Sequence, residues 1–158
     1  YDPRFKVTPP LRPAGDVEAV KAALADGLID AIATDHSPHE PHQKELPFDE
    51  APAGMVGLEL ALSVAITELE LPLADIIGLL SWRPAQIAGV VARHGGPIQA
   101  GGPANLTVID PNATWVVDGS ALRSRGSSTG FAGRELTGRV RHTVVAGEPM
   151  VVDAEPLR

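Results

Sequence analysis

From residue 29 to residue 33 the chain reads Ile-Asp-Ala-Ile-Ala, a short and largely apolar run. It is entered through Asp26-Gly27 and left through Asp35-His36-Ser37-Pro38. An apolar run bounded by turn signals predicts a strand buried on both faces, as in parallel sheets covered by helices. Just upstream, Val17, Val20, Ala23 and Leu24 fall at helical spacing, with Asp16 placed as an N-cap and Asp26-Gly27 as the stop. Phe5-Lys6-Val7 is strand-like and ends at Pro9-Pro10. Strand, helix and strand in this order predict an α/β fold. Residues 35–54 form a polar loop long enough to suggest function. Three helices are predicted next, over 57–69, 72–80 and 84–91, with Pro84 in a first turn where its missing N–H costs nothing.

After Gly95-Gly96 the helical period stops. Short β runs follow at 106–109, 115–117 and 139–145, and residues 144–152 predict a hairpin turning near Gly147. Between them, the Ser- and Gly-rich residues 124–133 read as an ordered surface loop. The change of period divides the chain into residues 1–94 and 95–158. No internal repeat is visible.

The chain has 158 residues, enough for one core. It lacks an initiator Met and a signal peptide, and Tyr1-Asp2-Pro3 opens directly onto structure. This start reads as the continuation of a longer polypeptide. The 15 prolines and 16 glycines sit mostly at segment edges, as loop punctuation. With no cysteine, disulfides and thiolate metal sites are excluded. A net charge of −7 argues against a general nucleic-acid grip. No apolar run approaches the length of a membrane span. These features suit a cytoplasmic protein.

The candidate chemistry gathers where the predicted strands end. Catalytic residues of barrel enzymes occupy that face. An acid there, Asp35, has to be paired, hydrogen-bonded or bound to a cation if buried. It could be catalytic, or it could cap the next turn. His36, His39 and His42 recur every third residue. Two of them could meet a metal, or all three could lie in a solvated loop, since Pro38 and Pro41 rule out a regular helix. Thr8-Pro9-Pro10-Leu11-Arg12 is either a stiff loop aiming Thr8 and Arg12 at a ligand or a rigid turn with Arg12 in a surface ion pair. The glycines of Pro52-Ala53-Gly54-Met55-Val56-Gly57 precede a helix. They could let a ligand approach backbone N–H groups, or serve as ordinary loop chemistry.

Taken together, Lys6-Val7-Thr8-Pro9-Pro10-Leu11-Arg12, Thr34-Asp35-His36-Ser37-Pro38-His39, Lys44, Pro47-Phe48, Ala51-Pro52-Ala53-Gly54 and Gly57-Leu58-Glu59 resemble the C-terminal part of the dihydroorotase family, within the amidohydrolase superfamily. Arg83-Pro84-Ala85 is similar to that family's Asn-Pro-Ala helix start, and residues 101–110 and 129–138 to its tail. The resemblance implies the last strands and helices of a (β/α)8 TIM-type barrel, with the C-terminal share of a small β-sandwich-like domain. It implies zinc-dependent, reversible hydrolysis of the cyclic amide of dihydroorotate to N-carbamoyl-aspartate, in pyrimidine biosynthesis. Two zinc ions per site are expected. Carried over residue by residue, Asp35 is the catalytic and metal-ligating aspartate, and Thr8, His39, Ala53 and Gly54 contact substrate. Arg12 joins His39 in giving donor character near an acidic substrate.

Two departures qualify the likeness. Thr8 stands where the family has Asn, and it lacks the amide donor pair. The family's His-x-His metal pair and remaining histidine ligands lie on earlier strands, and nothing in these residues matches them. The expectation is therefore a fragment that neither closes a barrel nor holds two metals alone, and that is inactive without the rest of the polypeptide. A homo-oligomer and aspartate transcarbamoylase are the protein partners the family suggests. An allantoinase-type enzyme is the nearest rival, although it has Cys at the position of His39. A catalytically silent dihydroorotase-like scaffold subunit is the other.

Overall fold

The computed structural model describes residues 1–157. Five helices lead into one antiparallel sheet. They are α1 (Ala14–Ala25), α2 (Pro41–Lys44), α3 (Ala61–Glu68), α4 (Leu73–Leu80) and α5 (Trp82–Ile87). The sheet has strands β1 (Leu106–Val116), β2 (Glu135–Val145), β3 (Glu148–Val152) and β4 (Glu155–Pro156), paired in chain order. No described helix is long and apolar enough to cross a membrane.

The first part departs from the pattern in instructive ways. Residues 3–5 wind into a 3-10 turn capped by Asp2 instead of a strand. Helix α1 begins two residues before Asp16, with Pro13 at its N-cap. Asp16 lies inside the first turn, and its carboxylate accepts from Arg12 at 2.7 Å, which makes Arg12 part of an exposed i,i+4 ion pair. The apolar stripe of α1 is only partly used. Leu24 is buried, while Val20 stays half-exposed.

Residues 29–33 do not join a ladder. Ile32 N–H donates to the carbonyl of Leu79 in α4 at 2.9 Å, and this ties the run to the helical layer on one side. Ile29 and Ile32 are half-buried, and Leu28 is 75% exposed. The expected burial on both faces is therefore absent here. A strand is completed by neighbours, and the described residues supply none along this run.

The polar stretch after Asp35 is more ordered than its prolines suggest. Pro41 occupies the first position of α2, where proline is tolerated. Glu40 and Gln43 close a capping box around it.

The β part packs onto the helices. Leu60, Val117 and Leu136 are buried together, with Val64, Trp115, Leu122 and Phe131 around them. Ser63 of α3 donates to the carbonyl of Gly138 at 2.6 Å, and Trp115 Nε1 reaches the same carbonyl at 3.2 Å. Gly138 has φ +89, and a methyl there would stand 2.5 Å from Ile66 Cδ1. At that φ a side chain would be strained, and it would also push Ile66 aside, so glycine suits the close approach of β2 to α3. The two predicted runs at 106–109 and 115–117 are largely one bent strand. Its register slips between Asp110 and Thr114, where Asp110 Oδ1 accepts from the N–H groups of Asn112 and Ala113. The hairpin turns at Ala146-Gly147, both at positive φ.

Candidate active site

Three loops converge beside Asp35. The first carries Lys6 to Thr8, the second residues 35–39, and the third residues 47–57. His36 and Met55 form a parallel bridge, and Ser37 N–H donates to Met55 O at 3.0 Å. This register sets Asp35 and Gly54 at neighbouring levels of adjacent segments. Gly54 N–H donates to Lys6 O at 2.8 Å, which brings the Thr8 segment to the same place. Thr8-Pro9 is a cis peptide. The segments holding Asp35, Thr8, His39, Ala53 and Gly54 therefore converge.

His39 is the centre of that cluster. Its Nε2 lies 2.9 Å from the carbonyl of Ala53, so Nε2 carries the proton and donates. Nδ1 has no hydrogen-bond partner among the described residues. Gly54 has φ +132, a conformation open to glycine alone, and its Cα packs against Ser37 and His39.

His36 has a different task. Its Nδ1 accepts from the N–H groups of Gly57 and Leu58 at 3.2 and 3.1 Å. The proton must then sit on Nε2, which faces Ser124 Oγ at 3.4 Å. Ser124 Oγ donates to Glu59 at 2.9 Å, and Glu59 also accepts from the backbone N–H groups of Arg123 and Ser124. With its acceptor nitrogen occupied, His36 cannot serve as a base. The chain of bonds instead fastens the 119–133 loop over the residue next to Asp35. Gly126 comes so close to His39 that a methyl there would meet its carbonyl at 2.5 Å. Neither Ser124 nor Glu59 was singled out for this from the sequence. Their only signal was the Ser- and Gly-rich composition of 124–133 and the Gly57-Leu58-Glu59 motif.

Asp35 stands apart from these bonds. It is exposed and sits at φ +42, and its carboxylate makes no hydrogen bond or ion pair among the described residues. An acid held in the left-handed region with nothing to bind is an available donor.

The histidine triplet does not form a cage. His36 and His39 are committed to backbone groups, and His42 is an exposed neighbour of Glu40 at 3.4 Å. Among the described residues no group of three or more His, Asp or Glu could hold a metal ion. Asp35 fits a metal only as one carboxylate of a donor set completed by other residues.

Lys44, at the end of α2, is 6% exposed. Its Nζ donates to the carbonyls of Pro52 and Gly54, both at 2.9 Å. Burial, and then the charge of Lys6, push its pKa below the usual lysine value. A separate cleft of about 360 Å³ lies between α1 and the end of α3, lined by Glu18, Lys21, Glu68 and Leu71. None of its lining residues belongs to the cluster around Asp35.

The model of the amidohydrolase family matches residues 8–150. The chain is 46% identical over 159 residues to a dihydroorotase of Streptomyces coelicolor, covering 98% of this chain and 37% of that protein. It is 44% identical over 157 residues to a dihydroorotase of Mycobacterium leprae, covering 94% and 35%. The chain thus spans about a third of the length of the curated relatives it matches. Among solved structures, an L-hydantoinase (dihydropyrimidinase) from Arthrobacter aurescens superposes with TM-score 0.88 at 30% identity, over 99% of this chain and 36% of that one. A D-hydantoinase (dihydropyrimidinase) from a Thermus species gives 0.87 at 26%, over 98% and 35%. The superposition runs over nearly the whole chain, so the chain has the fold of the corresponding third of these hydantoinases.

Proposed function

The chain belongs to the amidohydrolase family, and we propose that it supplies part of the active site of a dihydroorotase, which opens the cyclic amide of dihydroorotate to N-carbamoyl-aspartate. The observation that carries this reading is the convergence of the Thr8, Asp35–His39 and Ala53-Gly54 segments through the His36–Met55 bridge and the Gly54–Lys6 bond. Identities of 44–46% to proteins named dihydroorotase support the choice of substrate.

In this reading Asp35 is the general base and acid. It takes a proton from the attacking water and returns it to the departing ring nitrogen, which leaves as the neutral NH2 of the carbamoyl group. Its freedom from local partners suits that exchange. It is also the metal donor of this chain. A bound zinc ion, two per site in this reading, supplies the Lewis acidity that makes water nucleophilic at neutral pH. His39, already fixed through Nε2, presents Nδ1 to the acidic substrate. A protonated Nδ1 donates to a carboxylate, and a neutral one accepts from ring N–H. The Thr8 hydroxyl and the backbone of Ala53-Gly54 complete the contacts. This reading carries a place in pyrimidine synthesis, a cytoplasmic location and a homo-oligomer or aspartate transcarbamoylase as partner.

Hydrolysis of hydantoin-type rings is the second reading, favoured by the solved neighbours. Their identities of 26–30% are well below those of the dihydroorotases. The test is hydrolysis of dihydroorotate, hydantoin, dihydrouracil and allantoin by the full polypeptide that carries these residues, loaded with zinc. Turnover of dihydroorotate in preference to the others is expected. Turnover of another ring alone overturns the substrate, and turnover of none, with metal bound, points to a silent scaffold.

A further inference from the structure

Lys44 is a buried ammonium with no carboxylate within ion-pair distance among the described residues, although the charge of Asp2 reaches it. Its donors go to two backbone carbonyls. Burying a charge in this way is costly unless the bonds it makes are needed. The carbonyls concerned flank one peptide. Pro52 O and Gly54 O are held by Lys44, and Ala53 O between them by His39. Gly54 N–H is taken by Lys6 O. Proline has no N–H. Within residues 52–54 this leaves the amide of Ala53 as the donor without a partner among the described residues. Lys6 braces the loop from its other end, with Nζ donating to Phe48 O at 2.7 Å and Asp49 O at 3.0 Å.

We infer that Lys44 is a positioning residue for the reaction proposed above. Its ammonium turns the carbonyls of Pro52 and Gly54 inward and so aims the Ala53 N–H at the bound ligand. The inference rests on the dihydroorotase reading for the identity of that ligand. It does not rest on it for the loop geometry.

The test is Lys44→Met in the full, zinc-loaded polypeptide. KM for dihydroorotate is expected to rise about tenfold or more, with kcat within about threefold, because a contact common to ground and transition states is lost. A merely structural role would lower the melting temperature and the active fraction and leave KM unchanged. That result overturns the inference. Amide hydrogen exchange over residues 52–56 is read on the same samples and needs no turnover. It is expected to quicken about tenfold in Lys44→Met. If the unaltered polypeptide does not act on dihydroorotate, the functional reading fails. The exchange result then decides only whether Lys44 holds the 52–54 loop in place, and unchanged exchange overturns the inference. Should Lys44→Met not fold, Lys44→Gln keeps one amide donor on a shorter arm. It is expected to show the same KM rise and faster exchange at smaller amplitude, and wild-type values in both overturn the inference.

Discussion

Nε2 of His39 lies 2.9 Å from the carbonyl of Ala53, and the contact exists because the next residue has no side chain. A methyl on Gly54 would stand 2.8 Å from that nitrogen and 2.6 Å from Cβ of Ser37. It would also have to adopt φ +132. Gly54→Ala is therefore expected to destabilise the loop by about 1–3 kcal/mol from backbone strain alone. The ring of His39 must also move. Urea unfolding and KM for dihydroorotate should both change, and a variant with wild-type values in both would remove Gly54 from the site.

His39→Ala leaves the carbonyl of Ala53 without its donor and removes the Nδ1 edge. A hydrogen bond to a charged group is worth about 1.5–3 kcal/mol. The expected result is a rise in KM for dihydroorotate of about tenfold to a hundredfold. Isothermal titration with N-carbamoyl-aspartate provides the direct check. Unchanged affinity would assign His39 to loop structure only.

Local signals explain why some of this architecture could be read from the chain. The hairpin at Ala146-Gly147 and the start of α4 after Pro72 rest on turn and helix-start chemistry carried by the residues themselves. Asp16 misled because its carboxylate had a competing partner four residues earlier, Arg12. Residues 29–33 encode extension, but a ladder is a property of neighbours as much as of sequence. Helix α2 was hidden by reading Pro41 as a breaker, although at a first helical position it is a starter. The site divides in the same way. Asp35 stood out at the end of an apolar run. The contact between His39 and Ala53 spans 14 residues, and only the family resemblance suggested that they act together. Lys44 and Ser124 lie in polar stretches. Their partners, the carbonyls of Pro52 and Gly54 and the carboxylate of Glu59, reach them only through chain folding.

Glu68 ties three elements together. It pairs with Arg134 ahead of β2 and with Lys21 of α1 at 3.5 Å. The hydrogen bond from Arg134 is the main cause holding its pKa below the usual glutamate value. A depressed folded-state pKa means that the unfolded state binds the proton first as pH falls. The stabilisation is thus complete above the unfolded value of about 4.5 and is lost as pH falls through the folded one. Glu68 is a third exposed, so solvent screening keeps the effect to about 1 kcal/mol or less. Glu68→Gln should lower the urea midpoint slightly at neutral pH and converge with wild type in acid. A constant difference across that range would show that packing, not charge, is what Glu68 contributes.

Asp35→Asn separates chemistry from folding more cleanly than the other substitutions. Asp35 sits at φ +42, and Asn tolerates that region as well as Asp does. Its carboxylate is exposed and has no partner among the described residues, so exchanging it for an amide removes no bond of the fold. The change in stability of this part of the molecule should stay within about 0.5 kcal/mol. The amide cannot accept the proton of the attacking water or return one to the ring nitrogen. Loss of a general base lowers turnover by about two to four orders of magnitude. The measurement is kcat for dihydroorotate in the full, zinc-loaded polypeptide, with melting temperature and bound metal read beside it. Reduced kcat at unchanged melting temperature and metal content assigns the proton transfer to Asp35. Reduced kcat that follows lost metal assigns it the ligand role alone. Near-wild-type turnover with metal retained removes Asp35 from the mechanism.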